Sequence, residues 1–347
     1  MLAKQAYRGT ALTSQRERST PLPIGQHQQS LPPRWEEFLN ALTHRLAKPA
    51  FPLLSTRCIT RSDLSGIFAE IRKELGLPST FPDGPDIIQH LHSMGLASVI
   101  PVDLTGSSPE SSPSKQFIVL GIEGASKPDI ESLELLQAYN QDGVICYFSA
   151  ISYFDLTTQA PAHHHIASLT RKSPIKKLSH QDLATKTYNK ESTIKNKKIG
   201  THVFSFEGIQ FYSVKRVSNS IPGIKTRVLS SRTTIRISTI EQTLLDTLHY
   251  PYHCGGAEVV FEAWRNRIDN IDDDLLLDYL EKIQIPPLTR RVGAILEMLR
   301  HTPSIALKSF LSKSREGIFS LPEVSTIPLL RGINFPQVNH YWNVLVP

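Results

Sequence analysis

The sequence TRSDLSGIFAEIRKEL, residues 60–75, decides how the N-terminal part of the chain is interpreted. Its apolar side chains recur at steps of three and four residues, which places them on one face of a helix. They are Leu64, Ile67, Phe68, Ile71 and Leu75. Thr60 or Ser62 is suited to cap the start of this helix, and Gly76 to end it. The stretch therefore predicts an amphipathic helix that packs against other elements.

The neighbouring stretches extend this prediction to a small domain. Another apolar helical face precedes the helix, and a third, shorter helix follows it and ends at Gly95. Two β-type runs come next, separated by a loop at 105–115. Three helices followed by a hairpin is the order of a winged helix-turn-helix, and other small α+β domains share it. We predict such a domain at residues 34–124, with the third helix as recognition helix and the loop as wing.

The sequence of the remaining residues predicts an N-terminal arm and a second, larger unit. Residues 1–33 are polar and rich in proline, which is typical of a flexible basic arm. From residue 130 to residue 347, strand-type alternation is interspersed with helical periodicity, which predicts a mixed α/β domain. Residues 171–199 form a lysine-rich insertion within it. The predicted fold class is α+β, with an N-terminal winged helix-turn-helix followed by a larger mixed α/β C-terminal domain.

The composition excludes several classes of protein. The chain has 347 residues, of which 40% are hydrophobic and 20% are charged, as is typical of a globular protein. No apolar stretch approaches the roughly 18 residues that a membrane helix needs, and the first residues lack the apolar core of a secretory signal. Three cysteines are too few for a disulfide framework. These features predict a cytoplasmic protein without a membrane partner.

The charge of the chain is distributed unevenly. The net charge is +6, but residues 171–240 carry +12 and residues 241–285 carry −7. A basic block of this size is typical of an anion-binding surface, and it is also compatible with ordinary solvated surface. The sequence leaves both interpretations open.

No motif of a common catalytic or cofactor-binding class occurs in the sequence. The P-loop and GxGxxG patterns are absent, as are GxSxG and HExxH. In the run His163–His165 only the first and third side chains share a strand face, and Pro251 separates His249 from His253. The run Asp272–Asp274 is typical of the acidic first turn of a helix. We therefore predict no catalytic residue, no metal and no cofactor.

Five segments of the sequence carry a resemblance to a known family. They are RISTIEQTLLD (236–246), GGAE (255–258), YFSAISY (147–153), LTTQ (156–159) and WNV (342–344). Within the first segment Ser238 and Glu241 stand at capping-box spacing, which predicts the start of a helix. Together the segments resemble the AbiEi family of antitoxins and autorepressors from type IV toxin–antitoxin systems.

The resemblance implies a protein with two activities and a role in abortive infection. The N-terminal domain would bind inverted repeats in its own promoter, as two copies on the double-stranded DNA. The C-terminal domain would counter a cognate nucleotidyltransferase toxin, with or without direct contact between the two proteins. Neither activity requires the chain to be an enzyme.

The predicted DNA contacts are polar and basic side chains of residues 34–124. Base edges would be read from the outer face of the third helix by Gln89, His90 and Ser93. Phosphates would be contacted by Arg57, Arg61, Arg72, Lys73 and, at the wing, Lys115. A second basic patch in the insertion is interpreted as a nucleic-acid or partner contact, or as solvated loop: Lys172, Lys176, Lys177, Lys195, Lys197 and Lys198.

Two other functions remain open from the sequence. One is a DNA-targeted nuclease- or transferase-like enzyme, and the other is an adaptor whose winged helix binds proteins. If the chain is an enzyme, we expect a carboxylate beside a lysine in a cleft. A repressor instead requires that one cationic side of the three-helix domain stays uncovered by the rest of the chain.

Overall fold

The computed structural model describes most of the chain from residue 34 onward. The described residues are 34–47, 57–79, 81, 84–93, 95, 97–100, 102, 116–120, 130–170, 199–230, 233–320 and 324–347. They form a mixed α+β structure, as the sequence predicted at this coarse level. The predicted arm at 1–33, the wing residues 105–115 with Lys115, and residues 171–198 of the insertion lie outside the described residues.

The N-terminal unit combines three helices with a three-stranded sheet. Its elements in chain order are α1 (Trp35–Ala47), β1 (Cys58–Thr60), α2 (Arg61–Glu74), α3 (Gly84–Ser93), β2 (Ala97–Ile100) and β3 (Phe117–Leu120). Thr60 caps α2, because its hydroxyl accepts the amide of Asp63 at 3.2 Å. The strands run antiparallel in the order β1-β3-β2, so the unpredicted strand β1 joins the hairpin.

The C-terminal unit is built on a six-stranded sheet. Its first elements are α4 (Ser132–Tyr139), β4 (Val144–Ile145), α5 (Phe148–Tyr153), β5 (His163–Thr170), β6 (Thr201–Phe206), β7 (Ile209–Val217), β8 (Ile224–Ser230) and β9 (Thr233–Ser238). The strand order is β6-β7-β5-β4-β9-β8. The pairs β5–β7 and β4–β9 are parallel, whereas the other neighbours are antiparallel. Strands β6 and β8 therefore form the two edges.

Five helices and a small sheet complete this unit. They are α6 (Ile240–His249), α7 (Ala257–Arg267), α8 (Asp273–Ile283), α9 (Pro286–Met298), α10 (Ile305–Phe319), β10 (Ile327–Pro328), β11 (Gln337–Asn339) and β12 (Val344–Val346). The small sheet has the order β10-β12-β11. None of the described helices has both the length and the apolar character needed to cross a bilayer.

The start of α6 corrects one sequence prediction. The capping residue is Thr239, whose hydroxyl accepts the amide of Gln242 at 3.3 Å. The hydroxyl of Ser238 instead lies 2.9 Å from that of Thr243 in the interior. The predicted capping box between Ser238 and Glu241 is therefore wrong by one residue, and the Glu241 carboxylate is not used to close the helix end.

A buried ion pair connects α6 to strand β7 of the large sheet. The Arg216 guanidinium on β7 donates to Asp246 at 2.5 Å, and both side chains are at most 4% exposed. The second Asp246 oxygen accepts from the Gln242 side chain at 3.0 Å. Since a buried carboxylate is stable only when its oxygens are paired, these bonds explain why an aspartate stands inside the core.

Of three hydrophobic clusters among the described residues, one contains side chains of both units. The face of the small N-terminal sheet that points away from α1–α3 packs on α4 and the large sheet; its contributing residues are Cys58, Ile100, Phe117 and Val119. The rings of Phe117 and Phe204 lie 5.0 Å apart. Ile118 and Leu120, which point to the opposite face of β3, pack on the three helices. The predicted boundary near residues 124–130 divides the chain but not its core.

An ion pair at this junction corrects the predicted role of Arg57. Its guanidinium donates to Glu134 at 3.0 and 3.3 Å, and Glu134 also accepts from the Thr233 hydroxyl at 2.5 Å. The side chains of Arg57 and Glu134 are only 14% and 2% exposed. Arg57 therefore holds the two units together and is not placed to contact phosphate.

Replacing Arg57 by methionine is expected to lower the free energy of unfolding by about 3–5 kcal/mol, because Glu134 would be left buried without its cation. Urea denaturation followed by circular dichroism measures this change. The control is Lys282→Met, which removes an exposed pair with Asp278 and should cost less than about 1 kcal/mol. Equal effects of the two substitutions would contradict the interpretation.

Candidate nucleic-acid interface

The outer face of α3 presents polar side chains to solvent. Ile87, Ile88 and Leu91 are buried against the other helices, whereas Gln89 and Ser93 are exposed. The Gln89 amide makes no hydrogen bond to any described residue, so its donor and acceptor are both available. The Ser93 hydroxyl donates to the carbonyl of His90 at 2.7 Å, which leaves its oxygen able to accept.

Of the two histidines of α3, His92 is exposed, whereas the ring of His90, which was predicted to contact DNA, is partly buried. The His90 ring packs on Trp35 with centroids 5.0 Å apart, and its Nε2 is buried without a partner among the described residues. His90 is therefore not placed to read a base. His92, which the sequence analysis passed over, is exposed, and its Nδ1 donates to the Ala97 carbonyl at 3.0 Å. This bond leaves His92 Nε2 as an acceptor.

The other basic residues that were predicted to contact phosphate differ in the hydrogen bonds that they already make. Lys73 is exposed and has no partner among the described residues. Arg61 donates to the Gln116 side chain at 3.0 Å, and Arg72 to the Phe81 carbonyl at 3.1 Å, so each has further N–H groups available. Near Lys73 on the same helix, two glutamates are paired with one arginine of α1: Glu70 and Glu74 with Arg45. This pairing reduces the acidic character of α2.

The C-terminal unit does not cover the outer face of α3. It contacts the N-terminal unit at the small sheet and at Arg57. A further contact lies near the start of α2, where the Gln141 side-chain amide is 3.5 Å from Asp63. Gln89, His92 and Ser93 remain exposed in the folded chain. The described residues of the C-terminal unit therefore leave the outer face of α3 uncovered, and Arg61, Arg72 and Lys73 lie on α2 of the same unit.

A cluster of histidines and tyrosines lies inside the C-terminal unit. As predicted, His163 and His165 share one face of β5, with ring centroids 4.9 Å apart. The His165 ring stacks on Tyr212 at 5.5 Å, and its Nε2 donates to the Ile199 carbonyl at 2.9 Å. His164 points to the other face, where its ring contacts Phe211. The described residues contain no group of three or more side chains arranged to hold a metal ion.

Burial keeps these imidazoles neutral. It lowers the pKa of His164 and of His253 to about 4 each, and the nearby His163 adds to the effect on both. Burial also lowers the pKa of His165 well below its ordinary value, with the charges of neighbouring histidines acting in the same direction. The cluster is therefore part of the core at neutral pH and would resist protonation.

Comparisons with known proteins give little beyond this geometry. No family model matches the chain, and no curated protein matches it. The crystal structure of the Rv2827c protein from Mycobacterium tuberculosis is similar, with a TM-score of 0.47 and 12% sequence identity over 89% of this chain and 90% of that chain. A likeness at this level assigns neither a family nor a function.

Of the segments that carry the family resemblance, RISTIEQTLLD and YFSAISY lie mostly in the interior of the C-terminal unit, whereas GGAE and LTTQ are partly exposed. Asp246 pairs with Arg216, and Gly255 has a φ of +90° at a point where a Cβ would meet Phe148 at 3.0 Å. Trp342 packs directly on Gly293, where a Cβ would meet its ring at 2.3 Å. The conformation and the close packing require glycine at both positions. Packing therefore accounts for Asp246, Gly255 and Trp342 within these segments.

Proposed function

We propose that the chain is a non-enzymatic transcriptional autorepressor and antitoxin of a type IV toxin–antitoxin system. Its N-terminal unit would bind inverted repeats in its own promoter as a winged helix-turn-helix. Its C-terminal unit would counter a nucleotidyltransferase-like toxin in the cytoplasm. The observation that carries the proposal is the exposed polar face of α3, whose opposite face packs on the other helices.

The order of elements supports the winged-helix part of this proposal. Helix α1, strand β1, helices α2 and α3 and the hairpin β2–β3 follow one another as they do in winged helix-turn-helix domains. In such a domain α3 enters the major groove. Gln89 would then pair bidentately with adenine, His92 would accept from a base amino group, and Lys73 and Arg61 would contact phosphates.

The antitoxin part rests on the sequence resemblance of residues 130–347. The tests of this part use the full chain, because the fragment 130–347 alone would expose the apolar surface that covers Phe117 and Val119. Two copies on an inverted repeat would place two α3 helices in successive major grooves, which is the usual geometry for such sites.

The main test is binding of the full chain to its upstream inverted repeat. Fluorescence anisotropy compares this repeat with a scrambled duplex of equal length at several salt concentrations. We expect a preference for the repeat and an affinity that falls as salt rises. Equal binding to both duplexes would contradict repression and would favour the adaptor interpretation.

Replacing Gln89 by alanine is expected to weaken binding to the repeat by about 5- to 150-fold, the equivalent of about 1–3 kcal/mol for a lost bidentate base contact. Binding to scrambled DNA should change little, since phosphate contacts remain. The matched control is Gln337→Ala, at an exposed glutamine of β11. A variant that keeps the preference for the repeat would remove α3 as the reading element.

Antitoxicity is tested separately by co-expression of the full chain with the neighbouring toxin. The Gln89→Ala variant should still restore growth, because the substituted side chain lies outside the C-terminal unit. Continued growth arrest with the wild-type chain would contradict the antitoxin half of the proposal and leave the DNA-binding half intact.

A further inference from the structure

A groove of about 610 Å³ lies between the edge of the large sheet and the helices that follow it. Strand β8, the start of α6, the end of α7 and the start of α8 all contribute to its wall. We call it the β8–α6 groove. Its volume is within the range of sites that hold small organic ligands, which is about 300–1,000 Å³.

Three cations line the groove together with the carboxylates of Glu241 and Asp272, so a lysine and a carboxylate share this cleft, as the enzyme alternative predicts. Lys225 and Arg227 are two residues apart on β8, so their side chains share one face of the strand. Arg267 comes from the end of α7, and its Nε is buried without a hydrogen-bond partner among the described residues. None of the three forms an ion pair with a described residue. Their positive charge is therefore available to a ligand.

The first turn of α6 adds further donors to the same wall. The amides of Ile240 and Glu241 have no acceptor within the helix, as is general for a first turn, and Thr239 uses its hydroxyl on Gln242. Unpaired amides at a helix start favour anions, above all phosphate. The combination of three unpaired cations with these amides points to a ligand with a phosphate group.

The other lining residues require more than an anion. Glu241 is 5% exposed and has no partner among the described residues, and Asp272 uses one oxygen to cap α8. These carboxylates accept hydrogen bonds, so they suit a ligand that also has hydroxyl or amino donors. Partly buried apolar side chains complete the wall and suit a flat ring: Ile240, Ile271 and Leu275.

We propose that the β8–α6 groove binds a nucleoside phosphate. The phosphates contact Lys225, Arg227, Arg267 and the α6 amides, the ring packs on the apolar wall, and the carboxylates accept from sugar or base. This site lies in the C-terminal unit, apart from α3, so the inference goes beyond the proposed function.

The test is calorimetric titration of the full chain with adenosine triphosphate, pyrophosphate and adenosine. We expect the triphosphate to bind at least about tenfold more tightly than either fragment. The double variant Lys225→Ala/Arg227→Ala should weaken it by at least about tenfold, whereas Lys308→Ala/Lys313→Ala, at exposed lysines of α10, should leave it unchanged. Unfolding profiles show whether each variant is folded.

Three results would overturn the inference. They are no heat of binding with millimolar triphosphate, pyrophosphate binding as tightly as the triphosphate, and equal losses in the two double variants. Displacement of the triphosphate by an unphosphorylated oligonucleotide would reassign the groove to nucleic acid and would also overturn it. Binding to the promoter repeat, measured on the same variants, reports on α3 independently and separates the two proposals.

Discussion

Replacing Asp246 by alanine is expected to lower the free energy of unfolding by about 3–5 kcal/mol. The substitution leaves the Arg216 guanidinium buried without its anion, and it removes the acceptor of the Gln242 amide. The aromatic rings of Tyr147 and Tyr250, each 5.5 Å from the guanidinium carbon, cannot replace a carboxylate. Urea denaturation measures the loss.

Two further variants separate the pair from a general effect of losing an aspartate. Asp278→Ala removes an exposed pair with Lys282 and should cost less than about 1 kcal/mol. The double variant Arg216→Met/Asp246→Leu should recover much of the lost stability, since it leaves no buried charge unpaired. A loss at Asp246 no larger than that at Asp278 would refute the assigned role.

Acidification from neutral pH toward pH 4 is expected to destabilise the fold through the buried histidines. In the unfolded chain His164 titrates near 6.5, whereas burial lowers its pKa in the folded chain to about 4. Between these values the unfolded state binds the proton and the folded state does not. The stabilisation is therefore complete above pH 6.5 and is lost as the pH falls toward 4, by about 1.4 kcal/mol per pH unit for each such histidine.

His164, which is 3% exposed, gives a slope of about 1.4 kcal/mol per pH unit, and the lowered pKa values of His165, His249 and His253 act in the same direction. The measurement is the free energy of unfolding at several pH values in this window. His164→Phe, which suits the neighbouring Phe211 ring, should reduce the slope by about 1.4 kcal/mol per pH unit, the contribution of one histidine. A slope that the substitution does not alter would show that other groups control the acid response.

Long, periodic elements could be predicted from the sequence, whereas pairings between distant residues could not. The apolar steps of residues 60–75 predicted α2, and Thr60, one of the two predicted caps, is the observed one. Strand β1 was missed because three residues carry no period, and it exists only through pairing with β3. Glu134 is 77 residues from Arg57, so no local pattern indicated that this arginine is occupied at the junction.

The candidate DNA face was predicted in position but not in every residue. With Ile87, Ile88 and Leu91 inward, a period of 3.6 places residues 89 and 93 outward and residues 90 and 92 at the two borders of the buried face, so the sequence could not decide between His90 and His92. The α6 cap could not be resolved, because Ser238 and Thr239 are adjacent hydroxyl residues of similar capping strength. The β8–α6 groove joins four separated segments and had no signal beyond an excess of basic residues.

The packing of the two units against each other has a thermodynamic consequence for regulation. Because neither unit can unfold without uncovering the other, any molecule that occupies one of them protects the whole chain from denaturation and proteolysis. At a free concentration a hundred times the dissociation constant, this protection amounts to about 2.7 kcal/mol. Occupancy at one end of the molecule would thereby protect the other end from proteolysis.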